Sequence, residues 1–178
     1  MTLKEHATYG AAVSAALYPV LGAKVAFFYI PSVLIDADHY LDYLYFSKFR
    51  DWSVKQMFRF HGVLYKFVRL NREILALEAF HTAEFLLAIL GVGLYFRSDA
   101  VLLMFAGLMF HMVLDLIRMA QWKRIDVRAL SFVEYAVRKR RMIKQGTHPE
   151  AIFFEVYDQV KESEETPVSM PEGAPVLE

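Results

Sequence analysis

Apolar positions in this chain form long runs broken by a few charged or helix-interrupting residues, rather than alternating stripes. From Ala7 to Ile35 the single charged residue is Lys24, and Pro19, Gly22 and Pro31 punctuate the run. That spacing predicts two short helices turning near Gly22 to Lys24. A second block runs from Thr82 to Phe96 and stops at Arg97, Ser98 and Asp99, and a third, Ala100 to Ile117, carries no charge before Asp115. These predict a second hairpin. At 15 residues for Thr82–Phe96 and 18 for Ala100–Ile117 the blocks are short of the ~20 that a spanning helix needs. The expectation is an all-α fold, a small helical membrane bundle of about four short transmembrane helices in two hairpins, with cytoplasmic amphipathic helices attached. No small-residue cleavage site follows the first apolar run, so the first helix is expected to be retained.

The polar stretches carry a different pattern. Residues 48–72 interleave Lys48, Arg50, Lys55, Arg59, Lys66, Arg69 and Arg72 with Trp52, Met57, Phe58, Leu64, Phe67, Val68 and Leu70, as an amphipathic helix at an anionic leaflet would. A second amphipathic helix is predicted from Val127 to Gln145 with Gly146 as its C-cap. Thr147, Pro149 and Glu150 read as a capping box opening a last helix to about Lys161. The division is then a membrane domain over 1–120, cytoplasmic helices over 121–162 and a disordered acidic tail over 163–178.

Composition and charge sharpen this picture. A 56% hydrophobic fraction with 15 Phe and 10 Tyr in 178 residues favours a membrane bundle over an ordinary soluble domain. The net charge of zero conceals segregation: residues 119–146 hold eight Lys or Arg against two acids, and residues 147–178 hold eight acids against one Lys. Cations flank the middle segment and follow Arg118, whereas the outer turns show only Lys24 and Arg97, so the chain is expected in the inner membrane with both termini and the site facing the cytoplasm. The Arg138–Arg141 run reads as a solvated or lipid-contacting face, with nucleic-acid binding disfavoured.

With no cysteine, any metal must be held by nitrogen and oxygen donors. His6, His39, His81 and His111 fall at helix ends that the topology brings to one side, accompanied by Asp36, Asp38, Asp42, Glu78, Glu84 and Asp115. An ionisable group within an apolar span costs at least ~2.5 kcal/mol unless paired or liganded, so Glu84, His111 and Asp115 carry most of the information. The candidate ligands are His6, Asp36, Asp38, His39, His81, His111 and Asp115, around zinc foremost, or manganese or iron. Asp38 and Glu84 are the candidate general bases. Plainer readings stand beside these: His61 as a headgroup-level polar residue, His148 as a surface residue, Glu78 as a first-turn charge favouring its helix N-terminus, and His111 with Asp115 as a structural pair.

The run Ile35-Asp36-Ala37-Asp38-His39, with His6 before it, Phe80-His81-Thr82 after it and His111 followed by Asp115, resembles the bacterial inner-membrane metal-dependent hydrolases described as LexA-binding inner-membrane-associated hydrolases, over about residues 1–120. That family shows Pro-Asp-x-Asp-His and His-Arg-Gly-x-Thr-His-Ser runs; here Ile35 stands for the proline, and Ala76, Leu77 and Glu78 stand for His-Arg-Gly. The resemblance extends to the His and Asp set of zinc-dependent phospholipase C. It implies a membrane-bound hydrolase acting on a phosphoester or lipid-linked substrate at the cytoplasmic face. The alternative is a non-catalytic membrane protein with a structural metal site and a C-terminal region that recruits a protein partner.

Overall fold

A computed structural model describes residues 2–70 and 74–165; the predicted acidic tail lies almost wholly outside them. The chain is all-helical, and among the described residues eight α-helices occur: α1 Leu3–Leu21, α2 Ala26–Leu34, α3 Asp38–Phe46, α4 Val54–Leu70, α5 Ala83–Tyr95, α6 Asp99–Gln121, α7 Phe132–Lys144 and α8 Ala151–Glu165. Short 3-10 turns at Gly22–Val25, Ile35–Ala37, Ala79–His81 and Ile125–Val127 join several of them.

Thr2 and Glu5 form a reciprocal capping box at the start of α1. The helix ends at Gly22, whose φ of +54 lets the chain reverse, and α2 packs back along α1. On the other side of α2 lies α6, the most extensive helix pair in the molecule. Gly107 is what allows that approach, because a Cβ there would collide with the Phe28 main-chain carbonyl. The stretch Leu3–Phe46 and helix α6 are long and apolar enough to cross a membrane, with mean hydropathy 1.6 and 2.2. At 13 residues α5 is about 20 Å long, too short to reach alone across a ~30 Å hydrocarbon layer.

A second core lies beside the long helices. Phe60 and Leu64 of α4 meet Tyr43 and Phe46 of α3 and Ile152, Phe153 and Val156 of α8. The apolar face of α4, expected to rest on lipid, is therefore largely covered by protein, and it is the apolar face of α8 that supplies the cover. Trp52 and Phe58 remain exposed.

The predicted helix from Val127 begins only at Phe132. After the 3-10 turn Ile125–Val127 the chain instead passes beside residues 76–83, with Arg128 bridged to Ala76: the Ala76 N–H donates to the Val127 carbonyl at 2.7 Å, Ala129 N–H to Ala76 at 3.0 Å and Ala83 N–H to Leu130 at 2.8 Å. Ser131 then caps α7. At the other end Gly146, φ +82, closes α7 as expected, with Thr147 N–H donating back to the Met142 carbonyl. The predicted capping box at Thr147 gives way to a different role for Glu150, which accepts from Tyr135 Oη at 2.8 Å and pairs with Lys139.

Candidate metal centre

Five segments deliver polar side chains to one place, and a sixth, α2, delivers the Ser32 main-chain carbonyl. His6 comes from the second turn of α1, Ser32 from α2, Asp36 from the 3-10 turn, Asp38 and His39 from the start of α3, His81 from the turn before α5, and His111 and Asp115 from the end of α6. On α6, Gly107, His111 and Asp115 recur every four residues and share one face, so the close approach of α2 at Gly107 sets His111 one turn further on against the α2 backbone.

His111 Nδ1 lies 2.9 Å from the Ser32 carbonyl. A carbonyl only accepts, so Nδ1 carries the proton and the Nε2 lone pair faces the cluster. His81 Nδ1 likewise lies 2.9 Å from Asp38 Oδ2, which also accepts from the Phe80 N–H at 3.1 Å. Both imidazoles are fully buried, and neither Nε2 makes an aligned hydrogen bond. A ring held through Nδ1 by a carboxylate or carbonyl, with Nε2 directed inward, is the arrangement of a metal-ligating histidine.

Opposite these two nitrogens stand Asp36 and Asp115. His111 Nε2 is 3.2 Å from Asp36 Oδ1 and 3.6 Å from Asp115 Oδ2; His81 Nε2 is 3.6 and 3.9 Å from the same two oxygens. Four ligand atoms about 2.0–2.1 Å from a tetrahedral ion sit roughly 3.3–3.4 Å apart, so the donors stand somewhat wider than that and would draw together to close around one. Asp36, His81, His111 and Asp115 can hold a metal ion, all four donor atoms lying within 4.8 Å of one another. Two nitrogens and two oxygens without sulfur suit zinc, manganese or iron.

The other expected residues surround this set. His6 stacks on His111 with ring centroids 3.7 Å apart and reaches Asp115 Oδ1 at 3.1 Å. Asp38 orients His81. His39 lies at the edge, 3.5 Å from Asp36 Oδ1 through Nε2 and 3.8 Å from Glu78 through Nδ1. Glu84 points elsewhere: its carboxylate accepts from Ser131 Oγ at 2.7 Å and from the Phe132 N–H at 3.1 Å, where it supports the start of α7. His61 donates through Nε2 to the His39 carbonyl at 2.8 Å; burial and neighbouring His39 push its pKa down to about 3, so it is neutral. His148 is exposed.

One group was not foreseen, and one was foreseen in another role. Arg128, buried, binds Glu78 at 2.5 Å through Nη2 and Asp115 Oδ2 at 3.0 Å through Nη1. Burial opposes its charge, but the carboxylates of Glu78 and Asp115 outweigh that and hold its pKa above the ordinary arginine value. Glu78 is thus a buried partner of Arg128, which replaces the reading of it as a first-turn charge favouring its helix N-terminus. The same carboxylate-rich surroundings act on His81 in the metal-free protein: burial and Arg128 disfavour its protonation, yet Asp36, Asp38 and Glu78 prevail and raise it to about 9, so a metal ion at Nε2 would have to displace that proton.

The cluster opens on a cavity of about 830 Å³ between the start of α1, the α2–α3 junction, α4 and the end of α6. Asp36, His39, Asp115 and Arg128 line it, whereas Asp38 and Glu84 do not. No protein-family model matches the chain, and neither a curated protein nor a solved structure matches it significantly.

Proposed function

We infer that the protein is a membrane-bound, metal-dependent hydrolase acting on a phosphoester. The observation that carries this reading is the pair of fully buried histidines, each tied through Nδ1 and open at Nε2, converging with two carboxylates, Asp36 and Asp115, that line a large cavity. Bound there, a divalent ion would polarise a phosphoryl oxygen and acidify a coordinated water. Phosphoester hydrolysis adds a water to phosphorus, breaks the P–O bond to the leaving group and requires a proton for the leaving oxygen. The titratable side chain that lines the cavity beside Asp36 is His39, its Nε2 3.5 Å from Asp36 Oδ1, and it is the group we assign to supply that proton. Asp38 serves His81 and Ser32 serves His111, so both act by holding an imidazole in one tautomer.

Membrane insertion is supported by the apolar windows of Leu3–Phe46 and α6, only 17% and 28% buried, unlike the core helices of a soluble protein. In this reading α1, α2 with its continuation, α5 and α6 form two inserted hairpins, with the cluster and both termini at the cytoplasmic face, as the Lys and Arg distribution favours. The likeness of Asp36-Ala37-Asp38-His39, His81 and His111 with Asp115 to the inner-membrane hydrolase group agrees with it.

Elemental analysis of detergent-purified protein, wild type beside His81→Ala and His111→Ala, tests the centre. Near-stoichiometric zinc, manganese or iron that disappears in both variants is expected; a metal-free wild type after reconstitution would refute it. Chelation and add-back during turnover of a phosphoester panel tests the activity. Metal that raises thermal stability without any turnover would favour the structural-site reading instead.

A further inference from the structure

The cavity in front of the cluster is two-sided. Its floor is polar, but Phe58, Leu64, Tyr65, Val68, Met119 and Trp122 make a wall of hydrocarbon and aromatic rings along α4 and the end of α6. A volume of about 830 Å³ is near the upper end of the ~300–1,000 Å³ seen for small-molecule sites, far more than a bare phosphate needs. Around its mouth Leu3, Leu34 and Phe58, from three different helices, are 43%, 60% and 54% exposed. Three exposed apolar side chains at a cavity mouth fit an opening onto lipid better than one onto water. Lys4 and Arg118 stand on the same lining, Arg118 braced by Glu5 at 2.5 Å.

Resting on the metal-centre reading above, we propose that this cavity seats a lipid-like phosphoester: its hydrocarbon chain lies along the α4–α6 wall and its phosphate meets the ion between Asp36 and Asp115, with Lys4 and Arg118 near the headgroup. Three carboxylates, Asp36, Glu78 and Asp115, also face the cavity at its metal end, against Arg128, while Lys4 and Arg118 line it elsewhere. Without a divalent ion this floor repels phosphate, so headgroup binding depends on metal.

Gly62 supplies the test. It lies on the cavity wall in α4, and a Cβ built there has nothing within 4 Å, so Gly62→Leu projects into the cavity without meeting a neighbour at its first atom. Full-length protein at fixed detergent concentration, metal-loaded or stripped, is titrated with inorganic phosphate, dodecyl phosphate and dodecyltrimethylammonium, and metal content is measured in the same samples. Metal-loaded wild type should bind dodecyl phosphate at least roughly tenfold more tightly than inorganic phosphate, the equivalent of burying about two methylenes. Stripping the metal should abolish this, and dodecyltrimethylammonium should not compete. Gly62→Leu should lose the preference for the dodecyl chain while keeping its metal and its affinity for inorganic phosphate. Equal affinity for the two phosphates, or a Gly62→Leu variant that keeps the preference, would overturn the lipid seat while leaving the metal centre standing. Absence of metal from the wild type would overturn both.

Discussion

The same substitution at two glycines should move stability in opposite directions. Replacing a helix-interior glycine by alanine ordinarily stabilises by about 0.5–1 kcal/mol, since glycine gives up more backbone freedom on folding. Gly62→Ala in α4 meets no atom within 4 Å and should show that gain in full. Gly107→Ala in α6 faces the Phe28 carbonyl at a separation no Cβ tolerates, and the obstacle is backbone, which cannot swing aside. Either α2 and α6 separate or the helix rotates, at an overpacking cost of ~1–3 kcal/mol that the propensity gain only partly offsets, leaving a net loss of up to about 2 kcal/mol. Because His111 is one turn beyond Gly107 and donates to the Ser32 carbonyl, the separation should also weaken metal binding. Denaturant or thermal unfolding in one detergent, with metal content measured alongside, reads both effects. If Gly107→Ala stabilised as Gly62→Ala does and kept its metal, the argument that this helix contact positions the site would be wrong.

Arg128→Met should leave Glu78 and Asp115 buried without their cation, costing on the order of 3–5 kcal/mol in the metal-free protein; thermal unfolding with and without metal should show part of that restored by the ion through Asp115. Glu84→Gln should leave metal content unchanged, because the carboxylate serves Ser131 and Phe132, and increased amide exchange should be confined to the start of α7; metal loss would place Glu84 in the centre after all. For Glu150, burial raises the pKa but Lys139 and Tyr135 outweigh it, holding it below the ordinary 4.5. The stability it contributes is present above that value and is lost as pH falls through the lowered one, so Glu150→Gln should flatten the acid limb of a stability–pH profile; an unchanged limb would show the pair to be inert.

How much of this was legible follows from what each signal depends on. Apolar runs and helix punctuation are local, so the turn at Gly22, the start of α5 after Thr82 and the C-cap at Gly146 could be read from neighbouring residues. The candidate metal cluster was legible too, because histidine and aspartate within apolar helices are costly wherever they occur, and the packing of α1, α2 and α6 brings them together. The helix predicted from Val127 failed for the opposite reason. Nothing in residues 124–131 signals that Arg128 is buried; an arginine beside an apolar stretch fits an amphipathic face equally well until Glu78 and Asp115 are known to be within reach. The non-helical strap at 128–130 brings Arg128 to those two carboxylates, 50 and 13 positions away, which need a cation. Glu78 was misread by the same route, as a helix-end charge whose partner lay beyond any local window. The contrast between Asp38 and Asp36 makes the point at finer scale: two residues apart in one motif, one carboxylate orients His81 through Nδ1 and the other faces its Nε2. Only the turn of the 3-10 segment between α2 and α3 separates those roles, so the motif names the chemistry while the backbone assigns each oxygen its task.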